Sequence, residues 1–140
     1  IWAATRCRQI IDSLTQIDPF TPFIVMGDFN DNPTDRSVQT LQLNNPFAPM
    51  FQAGKGSLVF SGHWFLFDQI MFTPSALESL FQPNTCKSII YKDDSVVSHY
   101  GLQRSMPYSS YHGNLYQGGF SDHLPVALIF KLKNAKNALK

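Results

Sequence analysis

The segment FIVMGDFNDNP, Phe23–Pro33, runs from four apolar residues straight into a loop of turn formers. The run Phe23 to Met26 reads as a short buried strand. Gly27 closes it and permits a close backbone approach. The residues beyond, Asp28 to Asp35, are rich in turn chemistry. Side chains two apart on an extended chain point the same way. Asp28 and Asn30 are therefore expected on one face, with Phe29 turned to the other. A carboxylate there can take a proton from water or bind a divalent cation. A carboxamide can donate to a phosphate oxygen without adding charge. An Asx-rich turn leading into the next helix accounts for the same residues equally well.

Upstream, apolar residues at Ile10, Ile11, Leu14 and Ile17, with Ala3 and Cys7 on the same side, predict an amphipathic helix over Trp2–Ile17. Asp18-Pro19 ends it, because a residue before proline avoids the helical region. Downstream, Thr34 or Asp35 is placed to cap a short helix reaching about Leu41, which NNPFAP then breaks. Strands are expected at Ser57–Phe60, Leu66–Phe72, Ser88–Tyr91 and Val126–Leu132, with a helical turn at Pro74–Leu80. Residues 92–119 are polar, aromatic and glycine-rich without a clean period, as in a long functional loop. Residues 133–140 read as a basic tail after a domain spanning 1–132. Strands and helices alternate without repeat, which indicates α/β, or α+β with largely antiparallel strands.

The chain has 140 residues, 44% hydrophobic and 15% charged, with a formal net charge of +1. That is the composition of one small folded domain rather than a disordered chain. The near-zero charge lacks the overall footprint of a dedicated nucleic-acid binder. Cys7 and Cys86 are too few and too far apart for a disulfide framework or a metal-type spacing. No apolar run approaches the ~20 residues that a bilayer-spanning helix needs. The chain opens at Ile1 on a helical pattern, which reads as a processed chain or a piece of a longer one, and the compartment is not readable.

Two further stretches carry chemistry. In FLFDQIMF, Asp68 sits within a strongly apolar run, where a carboxylate is costly without a partner. In SDHLPV, Asp122 and His123 stand at the mouth of the last strand. His123 is the natural partner for Asp68, since an aspartate holds an imidazole in one tautomer and favours its protonated form. Asp122 points the other way along the chain, free to hold a metal ion.

GDFN, then DQI in an apolar strand, then SDHLPV, in that order, resemble the motifs of the endonuclease/exonuclease/phosphatase superfamily, the deoxyribonuclease I-like fold. The resemblance covers about Trp2 to Phe130. It implies that Asp28 orients or deprotonates the attacking water, that Asn30 hydrogen-bonds the scissile phosphate and that Asp68 orients His123. His123 would then bind or protonate the phosphate group, and Asp122 would help hold Mg²⁺ (or Mn²⁺). The implied activity is metal-assisted hydrolysis of a phosphoester, nucleic acid or a phosphorylated small molecule or lipid. The implied fold is the second half of a four-layered α/β sandwich, α+β in class, with a mixed, largely antiparallel sheet and flanking helices.

The resemblance stops at that half. The family's first half supplies an asparagine and a glutamate that hold the metal, and Glu78, the sole glutamate here, falls in a predicted surface turn. A half-sandwich exposes an apolar sheet face that a missing N-terminal half or a second copy must cover. The competing reading is a non-catalytic fragment or interaction module. His63 and Trp64 read as core and turn. Tyr108, Tyr111, His112 and Tyr116 read as packed loop aromatics or as a stacking surface for a base or sugar. His99 and Arg104 are within the same loop, with nothing to fix their geometry. Ser121 lacks the glycine-flanked elbow of a serine nucleophile.

Overall fold

The structure is a computed structural model that describes residues 1–133, and of 77–79 the backbone alone. The expected tail therefore falls, past Lys133, outside the described residues. The fold is α+β: helices flank short antiparallel strand pairs.

Helix α1 spans Trp2–Ile17 and ends at Asp18, whose backbone is extended ahead of Pro19. Its packed side is narrower than the apolar stripe suggests. Ile11 is buried, and Ala4 and Cys7 pack against Val38, Leu41 and Met71. Ile10, Leu14 and Ile17 remain exposed. The contact follows the spacing 4, 7, 11, along which small side chains let the helix approach the sheet closely.

Strand β1, Ile24–Asp28, pairs antiparallel with β4, Asp68–Phe72, in register from Ile24 opposite Phe72 to Asp28 opposite Asp68. One face of this pair, through Met71, packs under α1 and α2, Arg36–Thr40. The other face is covered at the β4 end, where Phe72 is buried, but open along β1: Ile24 is 43% and Met26 70% exposed. The expectation of a buried β1 is thus corrected, because a two-sided apolar strand here has a helical layer on one side only. Gly27 has φ +150° with open space where a side chain would begin. Its requirement is conformational, not the close approach expected from the sequence.

The expected strand Leu66–Phe72 is the shorter β4, and a further strand at His63–Phe65 was not expected. β2, Leu58–Phe60, and β3, His63–Phe65, form a hairpin around Ser61 and Gly62, both at positive φ. Such a two-residue loop matches the twist of the strands it joins. The chain then crosses through Leu66 and Phe67 to enter β4. Helix α3, Ala48–Gln52, was hidden by the prolines of NNPFAP; Pro49 lies in its first turn, where a missing N–H costs nothing. Helix α4 spans Pro74–Ser79, and the side chain of Glu78 lies outside the described set.

β5, Lys87–Ile90, pairs antiparallel with β8, Val126–Ile129, and β8 also lies beside β4. Leu128 and Phe130 pack onto a second core of Phe72, Ala76 and Phe81, while Ile129 is 54% exposed. Cys7 and Cys86 are unpaired thiols that belong to separate clusters. The long loop carries two 3₁₀ turns, at Asp94–Val96 and Gly101–Gln103, and a small hairpin of β6, Tyr111–His112, and β7, Leu115–Tyr116.

Candidate active site

Asp68 and His123 come from strands that meet only in the tertiary fold. Asp68 Oδ2 lies 2.7 Å from His123 Nδ1, and about a fifth of each side chain is exposed. Nδ1 is engaged by the carboxylate, so Nε2 is the ring nitrogen left for a substrate. A carboxylate on one nitrogen fixes the imidazole's tautomer and orientation.

The backbone around His123 is held from three sides. His123 bridges to Leu58 at the edge of the β2–β3 hairpin. Leu124 N–H donates to the carbonyl of the buried Ser57 at 2.6 Å, and the Ser57 hydroxyl accepts from Asp68 N–H at 3.4 Å. Ser57 thus ties the strand of the aspartate to the turn of the histidine. Ser121 Oγ accepts from His123 N–H at 3.0 Å, the role of a turn residue rather than of a nucleophile.

Asp28 stands directly across the ladder from Asp68. Opposed residues of an antiparallel pair project from the same face, so the GDFN carboxylate and the paired carboxylate share one side of the sheet. Asp28 is exposed, and its Oδ1 accepts from Asn30 N–H at 2.9 Å. Asn30 is exposed too, with φ +52°. The chain has already turned there, so the two-residue alternation that placed Asp28 and Asn30 on one face does not extend to Asn30. Asparagine is among the residues that enter this left-handed region most readily.

Gln69 is the residue the sequence reading passed over. It has no exposed surface. Its Nε2 donates to Asp31 O at 2.8 Å and to Leu66 O at 3.0 Å, and its Oε1 accepts from Asn45 Nδ2 at 2.6 Å. Asn32 Oδ1 accepts from Leu66 N–H at 3.0 Å, and Phe29 N–H donates to Phe67 O at 2.9 Å. These bonds anchor the loop after Asp28 to the entrance of β4. The signal was an amide beside Asp68 in an otherwise apolar run: alternation sends Gln69 to the face opposite Asp68 and into the core.

Asp122 is exposed and, among the described residues, makes no hydrogen bond or ion pair. It borders a surface hollow with Val59, Gln103, Met106, Ser109, Tyr111 and His112. The loop aromatics are packed together. Tyr111 and Tyr116 rings lie 5.3 Å apart, Tyr108 Oη donates to Gln117 O at 2.6 Å, and His112 Nδ1 is 2.9 Å from Gln103 Nε2. His99 Nε2 contacts Asp94 O, Arg104 is exposed, and His63 is exposed at the start of β3.

A family model described as the endonuclease/exonuclease/phosphatase family matches residues 1–132. The chain belongs to that family. No curated protein and no solved structure matches it. Members of the endonuclease/exonuclease/phosphatase family are usually hydrolytic enzymes acting on phosphoesters, and they generally depend on a divalent metal. The side chains present do not fit a metal by themselves: among the described residues no three of His, Cys, Asp and Glu gather to hold one. A divalent ion bound through one or two carboxylates needs substrate or further ligands to complete its shell.

Proposed function

We propose that the chain is the catalytic part of a metal-dependent phosphoester hydrolase, a nuclease or a phosphatase. The observation that carries this reading is the Asp68–His123 pair at 2.7 Å, with Asp28 across the ladder from Asp68. Asp68 is the positioning residue. It orients His123 so that Nε2, when protonated, donates to a phosphoryl or leaving-group oxygen. Asp28, exposed and among the described residues bonded only through Oδ1 to the Asn30 N–H, orients or deprotonates the attacking water. The Asn30 carboxamide donates to the scissile phosphate. Asp122 would supply one ligand to Mg²⁺ or Mn²⁺, an ion that when bound would offset negative charge on the phosphate. The other ligands come from a companion α/β layer, a first half or a second copy, seated on the exposed Ile24 and Met26 face.

The test is hydrolysis of bis(p-nitrophenyl) phosphate and of plasmid DNA by the full-length gene product, in Mg²⁺, Mn²⁺ or EDTA. His123→Ala is expected to lower turnover by roughly 10²–10⁴-fold, the range of a lost general acid or base. Asp68→Asn is expected to cost roughly 10–100-fold, as for a residue that orients another. Equal turnover by His123→Ala and the parent would sink the catalytic role. The uncovered apolar residues of β1 and β8 favour one alternative, an interaction module, and it would then lead.

A further inference from the structure

Within the stretch AGKGS, Gly54, Lys55 and Gly56 form one wall of a second concavity, whose lining includes neither Asp68 nor His123. Its volume is about 320 Å³, and its lining is Met50, Gly54, Lys55, Gly56, Trp64, Ile90 and Lys92. That size suits a small organic molecule. The wall is shaped by its glycines. Gly54 has φ +74°, and a Cβ on Gly56 would lie 2.5 Å from the Phe65 carbonyl oxygen. Only glycine lets the loop lie that close to β3, and this presses Lys55 against the mouth of the hollow.

The charge here is one-sided. Lys55 and Lys92 are both exposed, and among the described residues neither makes an ion pair. Lys92 Nζ sits 4.5 Å from the centre of the Trp64 ring. Asp93, next to Lys92, is not among the residues lining the hollow, and its carboxylate accepts the Ser95 N–H and hydroxyl through Oδ1. The hollow thus offers two cations at its lining and an apolar floor of Met50, Trp64 and Ile90. An anion with an apolar body answers both features.

We propose that this concavity binds an organic phosphate, its phosphoryl oxygens held by Lys55 and Lys92 and its carbon skeleton against Met50, Trp64 and Ile90. The site is separate from the hydrolytic reading and stands if that reading fails. It shares a framework with the pair, since Ser57 O accepts from Leu124 N–H and Tyr91 N–H donates to Pro125 O at 2.8 Å.

The chain has two tryptophans, and Trp2 is 82% exposed on α1. Trp2→Phe leaves Trp64 as the sole reporter. Its fluorescence is titrated with adenosine 5′-monophosphate, glycerol phosphate, inorganic phosphate and adenosine, at constant ionic strength and in EDTA so that binding is read without turnover. A saturable change with the organic phosphates is expected, weaker with inorganic phosphate and absent with adenosine. Lys55→Met with Lys92→Met keeps the apolar stems and removes both charges; affinity should fall at least roughly tenfold. Tighter binding of the nucleotide than of glycerol phosphate would assign a planar group to the Trp64 floor, and equal binding any carbon skeleton. No saturable change with any phosphate, an unchanged double variant, or adenosine binding as well as its monophosphate would overturn the proposal. Inorganic phosphate binding as tightly as both organic phosphates would overturn the role of the apolar floor.

Discussion

A carboxamide with no exposed surface must be bonded at both ends, and Gln69 is: three partners reach it from the Asp31 loop, the Leu66 carbonyl and Asn45. Removing the amide while keeping the volume leaves two carbonyls and one N–H donor group without their partner. Each buried orphan costs on the order of 1–3 kcal/mol. Gln69→Leu is therefore expected to lower unfolding free energy by about 3 kcal/mol or more, read from urea denaturation. A loss below about 0.5 kcal/mol would show that water replaces those bonds. At this scale the sequence was informative wherever a side chain was costly in its setting. Asp68 in an apolar strand demanded a partner and has His123. Asn30 was less legible, because its left-handed backbone is invisible to a rule built on extended chain. Gln69 was overlooked because a neutral amide raises less alarm than a charge.

Elements were legible where period and punctuation agreed. Helix α1 occupies the whole predicted span because Asp18-Pro19 stops it and the apolar spacing runs unbroken to that stop. The strand at His63–Phe65 was missed because His63 and Trp64 were read with the turn before them, and β4 begins two residues later than expected because the apolar run Phe65–Phe67 carries no mark where hydrogen bonding passes from one partner to another. The C-terminal turn of α1 also has a pH signature. Asp18 accepts from the Thr21 hydroxyl and the Phe20 N–H, and these hydrogen bonds hold its carboxyl below the usual carboxylate range. A depressed folded value stabilises the turn above the unfolded value of about 3.9. That contribution is lost as pH falls through the lower, folded value. Asp18→Asn should flatten the acid limb of a pH-dependent thermal unfolding series while leaving its shape above pH 6 unchanged. An acid limb as steep as the parent's would exclude Asp18 as a contributor.

For the molecule as a whole, the α+β class followed from alternating strands and helices, but the one-sided cover of β1 did not. Apolar runs say that a strand can be buried on both faces, not that both covering layers belong to the same 133 described residues. Ile24 and Met26 on β1 and Ile129 on β8 leave apolar area in water. Met26→Lys is expected to reduce self-association in sedimentation velocity without lowering the melting temperature by more than a few degrees, since Met26 has little to lose from the core. Unchanged sedimentation together with unchanged binding of a hydrophobic dye would mean that this face is not sticky in solution.

The separation of 55 residues between Asp68 and His123 has a consequence in time. Closing so long a loop is entropically expensive and slow compared with forming α1 or the β2–β3 hairpin. β8 comes last of the described strands; it docks on β5, while His123 just ahead of it bridges to Leu58 and its imidazole meets the carboxylate. The hydrogen-bonded pair therefore forms after the local elements α1 and the β2–β3 hairpin. Appearance of the histidine's Nδ1 proton resonance during refolding would mark the moment at which the two side chains meet.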